Sequence, residues 1–254
     1  MSARSELRTL IRLAPDINST DVISDANVNT LLDKGQIDLS LRGRALPKNE
    51  KVNTVAEQRE YVISGTSSVL TDNDFLAIDL QGGGVLFYDG SRWISPPEFE
   101  PKTREWLDIH QVGWREATSA STPLFWYLDT AEDAVSNLAV GLVDKPSAAT
   151  ANALWINYLS RGKLMTGDTH YPWTGSTTQL VHLEPYEMLL VYYCLDWIYR
   201  LILKNDADAD KFLNLYLAGA QAMAKRLPLM DHLAREGFET PSYFAQRARS
   251  GKRF

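Results

Sequence analysis

Residues 184–203 read EPYEMLLVYYCLDWIYRLIL. Pro185 suits a first helical turn, and no further breaker follows before Leu203, which predicts a helix of about 20 residues, or ~30 Å. Glu187 and Asp196 are nine positions apart, so at about 100° per residue they point to opposite sides. Tyr186, Leu190, Tyr193, Trp197 and Leu201 fill the arcs between them. A helix without one polar face must be covered on several sides. The uncharged run Met188–Leu195 falls far short of the ~20 residues that span a bilayer, which predicts a core helix and no membrane partner.

The rest of the chain offers the cover. Asp206 caps a second helix through about Leu227, with Phe212, Leu215, Tyr216, Gly219 and Met223 on one stripe and Pro228 stopping it. Only Lys204-Asn205 separates the two helices, which predicts an antiparallel hairpin. Gly219, among alanines at 218, 220, 222 and 224, lets another helix approach closely. Near the start, Leu7, Leu10 and Ile11 sit at helical spacing before Pro15. Asp21 and Ser24 offer N-caps for a helix carrying Val28, Leu31, Leu32, Ile37, Leu39 and Leu41, interrupted by Gly35 and ended by Pro47. The helical domain is thus discontinuous, built from 1–50 and 178–236. Tyr186, Leu190, Tyr193, Trp197, Phe212 and Tyr216 are its expected packing and subunit-contact residues. With Trp197 in the core, Trp197→Ala would cost ~3–5 kcal/mol.

Between these parts, 51–177 changes period. Val52, Tyr61–Ile63, Phe75–Leu80, Val85–Tyr88, Leu124–Leu128, Leu138–Val143 and Ala153–Leu159 are short apolar or alternating runs with turn residues between. Asp89-Gly90, after Tyr88 and before Trp93-Ile94, signals a hairpin. Pro101 suits the start of a short helix over Lys102–Ile109. The fold class is α+β: a discontinuous α-helical bundle, an inserted antiparallel β-sandwich or barrel-like domain, and an extended C-terminal arm.

Chemistry is sparse. The 254 residues carry 26 basic and 32 acidic side chains, a net charge of −6, the wrong sign for a protein that lives by neutralising phosphate. The one cysteine, Cys194, excludes an internal disulfide framework and reads as buried and inert. His110, His170, His182 and His232 are scattered, without metal spacing; Asp168-Thr-His170 reads as an ordinary loop. Gln81-Gly-Gly-Gly-Val85 lacks the ending of a phosphate loop and reads as a hairpin or bulge. No pair among the carboxylates stands out as catalytic. Of the seven tryptophans, Trp126, Trp155 and Trp197 read as packed, and Trp93, Trp106, Trp114 and Trp173 as partly exposed. The start lacks the apolar region of a secretory signal, which predicts a soluble protein. No catalytic residue, cofactor or metal is expected.

Residues 237–254 differ from the body. Arg247, Arg249, Lys252 and Arg253 stand against Glu239 alone, a net of +3 beside −9 for the preceding 236 residues. Phe238, Tyr243, Phe244 and Phe254 interleave with that charge. Such a segment reads as a docking arm for an acidic, grooved partner.

The order of elements resembles the head–tail adaptor (connector) proteins of tailed bacteriophages. Phe75–Leu80 followed by Val85-Leu-Phe-Tyr-Asp-Gly90 is similar to that family's apolar strand and hairpin. Arg104-Glu-Trp-Leu-Asp108, Gly113-Trp-Arg115 and Thr122-Pro-Leu-Phe-Trp-Tyr127 resemble its short helix and strand entry. Leu138–Pro146, Leu154–Leu159, Leu183–Leu189 and Lys211-Phe-Leu-Asn-Leu-Tyr216 continue the likeness, which covers roughly 50–227. The 47–60 connector, the triple glycine and the Pro172-Trp-Thr-Gly-Ser-Thr insertion depart from it. The resemblance implies a non-enzymatic virion protein at the neck, assembled in the host bacterial cytoplasm. It implies a dodecameric ring of copies under the portal protein that extends the channel for viral dsDNA, without sequence-specific binding, and carries a tail or nozzle protein. It also implies that Tyr243, Phe244, Arg247, Arg249, Lys252, Arg253 and Phe254 reach the portal. The alternatives are a tail terminator or stopper and a carbohydrate- or receptor-binding sandwich.

Overall fold

The computed structural model describes residues 2–65, 67–116, 119–132 and 134–235. The chain is α+β and divides into two compact units, residues 1–45 with 180–254, and 46–179.

The helical unit contains α1 (Arg4–Arg12), α2 (Asp25–Arg42), α4 (Glu187–Leu201) and α5 (Asp206–Arg235). Local chemistry sets the starts. Ser24 Oγ accepts from Asn27 N–H at the N-cap of α2, and Glu6 accepts from Ala3 N–H ahead of α1, each satisfying a donor that a helix end leaves free. Arg12 ties the connection between α1 and α2 by donating to the Ser19 and Ile23 carbonyls and to Asp25. α4 lies against α1, α2 and α5, burying Leu190, Cys194 and Ile198 completely. Two glycines permit the close crossings. A Cβ at Gly35 would stand 2.8 Å from the Tyr193 ring, and one at Gly219 would collide with Leu189 Cδ2.

The β unit is a two-sheet sandwich. β9 (Thr150–Ser160) is the spine of the first sheet, with β1 (Pro47–Thr54) along one edge. β3 (Phe75–Ile78) and β4 (Val85–Tyr88) share the other edge, and β4 pairs onward with β5 (Trp93–Ile94). The second sheet runs β2 (Glu60–Ser64), β8 (Ala134–Val143), β7 (Phe125–Ala131), β6 (Glu100–Pro101). Inward residues of both sheets, among them Tyr61, Ile63, Val85, Phe87, Trp126, Leu142, Leu154 and Ile156, form one core. On the outer side of the second sheet, α3 (Arg104–His110) packs Leu107 with Trp114, Tyr127 and Val143.

Several expectations are corrected. The sheets are not wholly antiparallel, since β6 runs parallel to β7. The polar stretch at 47–54 is a strand and not a connector: its partner, apolar β9, supplies the pairing that Lys48, Asn49, Glu50 and Lys51 do not advertise. The α-helix in the quoted stretch begins at Glu187; Val181–Tyr186 forms a 3-10 turn containing Pro185. Pro228 does not stop α5, which continues to Arg235. Trp114 and Trp173 are buried rather than exposed, Trp114 because Arg59 and Arg115 both stack on its ring. Trp197 is 38% exposed. The neighbours of α4 leave the last turns of one face open, and Trp197 lies there with Leu201.

Candidate functional site

The open stripe of α4 forms one wall of a groove in the helical unit. Asp38 and Arg42 of α2, Tyr193, Asp196, Trp197 and Arg200 of α4, and Leu213, Tyr216 and Leu217 of α5 line a cavity of about 250 Å³. Gly35 lets the Tyr193 ring lie against α2. That ring meets Tyr216 edge-on, with centroids 5.4 Å apart and planes at 66°. The Tyr216 hydroxyl then donates to Asp38, which also accepts from Arg42 Nε at 2.8 Å, one turn along α2. Burial and the neighbouring Asp38 carboxylate push the Tyr216 phenol well above its ordinary pKa, so it stays a donor. Trp197 follows Tyr193 by one turn, 6.2 Å between centroids.

Charge at the rim is unbalanced. Arg200 donates to Asp196 at 2.9 Å and to Asp210 at 2.8 Å, with Asp206 at 3.6 Å. One guanidinium therefore serves three carboxylates, a local net of −2. The hydrogen bonds to Asp210 and Asp196 hold Arg200 above its usual pKa. Asp206 and Asp210 are 77% and 62% exposed, so the excess charge faces water.

Three of the six expected packing residues meet here: Tyr193, Trp197 and Tyr216. Leu190 is fully buried in the helical core. Phe212 packs on Tyr192 and Tyr199, and Tyr186 ends the 3-10 turn, half-buried. Sequence reasoning missed Asp38, Arg42, Arg200, Leu213 and Leu217. The pairs Asp38/Arg42 and Asp196/Arg200 have the i,i+4 spacing of helical ion pairs, which was the available signal. The arm residues Tyr243, Phe244, Arg247, Arg249, Lys252, Arg253 and Phe254 lie outside the described residues.

In the β unit, the polar clusters bind loops to sheets. Glu60 accepts from Arg104, from the Tyr127 hydroxyl and from Glu132 N–H. Asp74 accepts from Lys48, Ser160 and the Tyr158 hydroxyl, and Tyr158 also donates to Glu50. The His170 ring nitrogen accepts from the N–H groups of Thr166 and Gly167, closing its own turn. The triple glycine forms a tight turn in which Asp79 accepts from Gly82 N–H. A wider cavity of about 560 Å³ opens between Ile78, Leu80, Lys102, Arg104, Trp126 and Leu128. On the outer face of the first sheet, Trp93 and Trp155 meet edge-on at 5.3 Å. The Lys51 ammonium lies 5.4 and 5.0 Å from their centroids.

Burial pushes the Cys194 thiol far above its ordinary pKa, which keeps it protonated. Among the described residues no group of three or more His, Cys, Asp or Glu side chains is placed to hold a metal ion, and no helix is long and apolar enough to cross a membrane. No family model and no curated protein matches this chain.

Proposed function

We propose that this chain is a structural assembly protein, the adaptor ring between a phage portal and its tail. The observation that carries the reading is the open stripe of α4. A helix wrapped by three others keeps Trp197 and Leu201, one turn apart, at 38% and 60% exposure, and exposed apolar surface of this kind marks an interaction face. The charge distribution supports the same reading. The β unit, 46–179, carries ten basic and seventeen acidic side chains, a net of −7, while 1–45 and 180–235 together carry −1. An acidic unit repels phosphate and suits a conduit that DNA must leave without sticking. In this role copies of the chain form the ring, the C-terminal arm docks to the portal, and the tail or nozzle protein attaches to the ring, all in the virion neck.

Mass photometry of the chain alone and with portal rings tests the proposal. The expected result is a ring-sized species, formed either alone or on the portal. A monomer that stays monomeric with portal present overturns it. A second reading, a glycan-binding sandwich, draws on partly exposed Trp93 and Trp155. The Lys51 ammonium lies over both indole rings, and a glycan-array signal from the monomer is the result that would favour it.

A further inference from the structure

We infer that the groove between α2, α4 and α5 receives the basic aromatic segment 238–254 of a second copy of this chain. The inference stands apart from the portal reading, because it concerns this chain alone; the same segment can serve the groove in the free protein and a portal after docking.

The groove has two parts with different demands. Its apolar part, Tyr193, Trp197, Leu213 and Leu217, leaves an indole 38% exposed, and covering apolar surface of this kind is favourable. At its rim, among the described residues, Arg200 faces Asp196, Asp206 and Asp210. That cluster has room in its charge balance for a second guanidinium. The two parts lie about one helical turn apart on both walls, Trp197 beside Arg200 on α4 and Leu213 after Asp210 on α5, or ~5 Å.

The segment presents the matching sequence. Tyr243-Phe244 is followed by Arg247 and Arg249, then by Lys252-Arg253-Phe254. An aromatic pair three residues ahead of an arginine can seat its rings on Trp197, Leu213 and Leu217 while the guanidinium reaches the carboxylates. Tyrosine and arginine are the side chains that most often anchor such contacts.

Reach bears on which copy supplies the Tyr243-Phe244 pair. Between Leu217 and the last helical residue, Arg235, α5 advances ~27 Å. The eight residues from Glu236 to Tyr243 span at most ~27–29 Å when fully extended. Return to the chain's own groove would therefore need every one of those residues straight. A neighbouring copy meets no such limit, and exchanging the segment would link copies into a chain of contacts.

Cysteine cross-linking in the full-length protein tests the inference. One preparation carries Leu213→Cys and a second, differently tagged, carries Phe244→Cys; mixed under mild oxidation, they can join only between chains. The expected result is a disulfide-linked heterodimer formed about tenfold or more in excess of a control with Thr9→Cys, exposed on α1, in place of Leu213→Cys. Leu217→Cys provides a second groove position. Asp210→Lys, at an exposed carboxylate, should remove that excess, and raising salt should reduce it. A yield no greater than the Thr9→Cys control overturns the inference. So does a chain carrying both Leu213→Cys and Phe244→Cys that closes only on itself, as does cross-linking unaffected by Asp210→Lys.

Discussion

The helical unit and the β unit fasten their elements by different means. In the helical unit, glycines let helices cross closely: Gly35 admits Tyr193, and Gly219 admits Leu189. In the β unit, a bridging carboxylate holds each of several loops, as Glu60 does for Arg104, Tyr127 and Glu132, and Asp74 for Lys48, Tyr158 and Ser160. The first device is neutral and the second accumulates acidic residues, which accounts for part of the −7 carried by 46–179. Net charge in this chain is therefore partly a by-product of how a loop-rich sandwich is held, as well as a property facing partners.

The largest effect that sharpens this comparison is a pair of tryptophan truncations. Trp126→Ala removes an indole from the sandwich core and should cost ~3–5 kcal/mol. Trp197→Ala, on the open stripe, should cost only about 1 kcal/mol. Equal shifts in chemical denaturation midpoint would erase the distinction between filled core and open face.

Glycine substitutions come next. A Cβ at Gly141 would fall within the Tyr127 ring, whose hydroxyl is held by Glu60, so Gly141→Ala should cost ~2–3 kcal/mol. At Gly219 the obstacle is the end of a flexible leucine, and alanine returns ~1 kcal/mol of helix propensity. Gly219→Ala should accordingly stay within ~1 kcal/mol of the parent, and thermal melts of the two variants check the contrast. Removing single hydroxyls is smaller still and similar in both units. Tyr127→Phe and Tyr216→Phe each delete a hydrogen bond to a carboxylate and should cost ~1–2 kcal/mol in denaturant unfolding.

Acid should separate the units by a smaller margin. In the β unit, Lys48 holds Asp72 below the ordinary carboxylate pKa, and Arg115 and Trp114 do the same for Asp108. The N–H groups of Arg92 and Ser91, with the Ser91 hydroxyl, take Asp89 to about 2. A lowered folded-state pKa gives stability that is complete above the ordinary value of ~3.9 and lost as pH falls through the folded value. The helical unit mixes signs. Asp25 is lowered by Arg12, whereas burial raises Asp33 despite Arg4, and a raised carboxylate favours the fold as it protonates. Amide hydrogen exchange between pH 5 and pH 2 should therefore show the β unit losing protection first, and Asp89→Asn should flatten its decline slightly. Simultaneous loss in both units would contradict the assignment.

Much of this architecture is legible in the sequence. Ser24 as an N-cap, the Asp89-Gly90 hairpin, the Lys204-Asn205 link and the apolar runs of β7, β8 and β9 each carry a local physical signal. The misses share a cause: they depend on a distant partner. The strand at Pro47–Thr54 takes its pairing from β9, and β6 is fixed by a two-residue parallel contact with β7. The groove needs α2, α4 and α5 together. Its ion pairs were visible as i,i+4 spacings, yet no local pattern states which face of α2 meets α4. Trp197 was misplaced for the same reason, since an all-round apolar helix does not say which side its neighbours leave open.

The split of the helical unit has a consequence for biosynthesis. All of 46–179 leaves the ribosome between α2 and α4, so the sandwich can close while α1 and α2 still wait for their complement. The Arg200 cluster comes into being only once α5 has emerged, with the basic stretch next in line. A nascent chain thus carries no finished groove until α5 has followed the whole sandwich out, a sequence of events that delays sticking between copies until the helical unit can close.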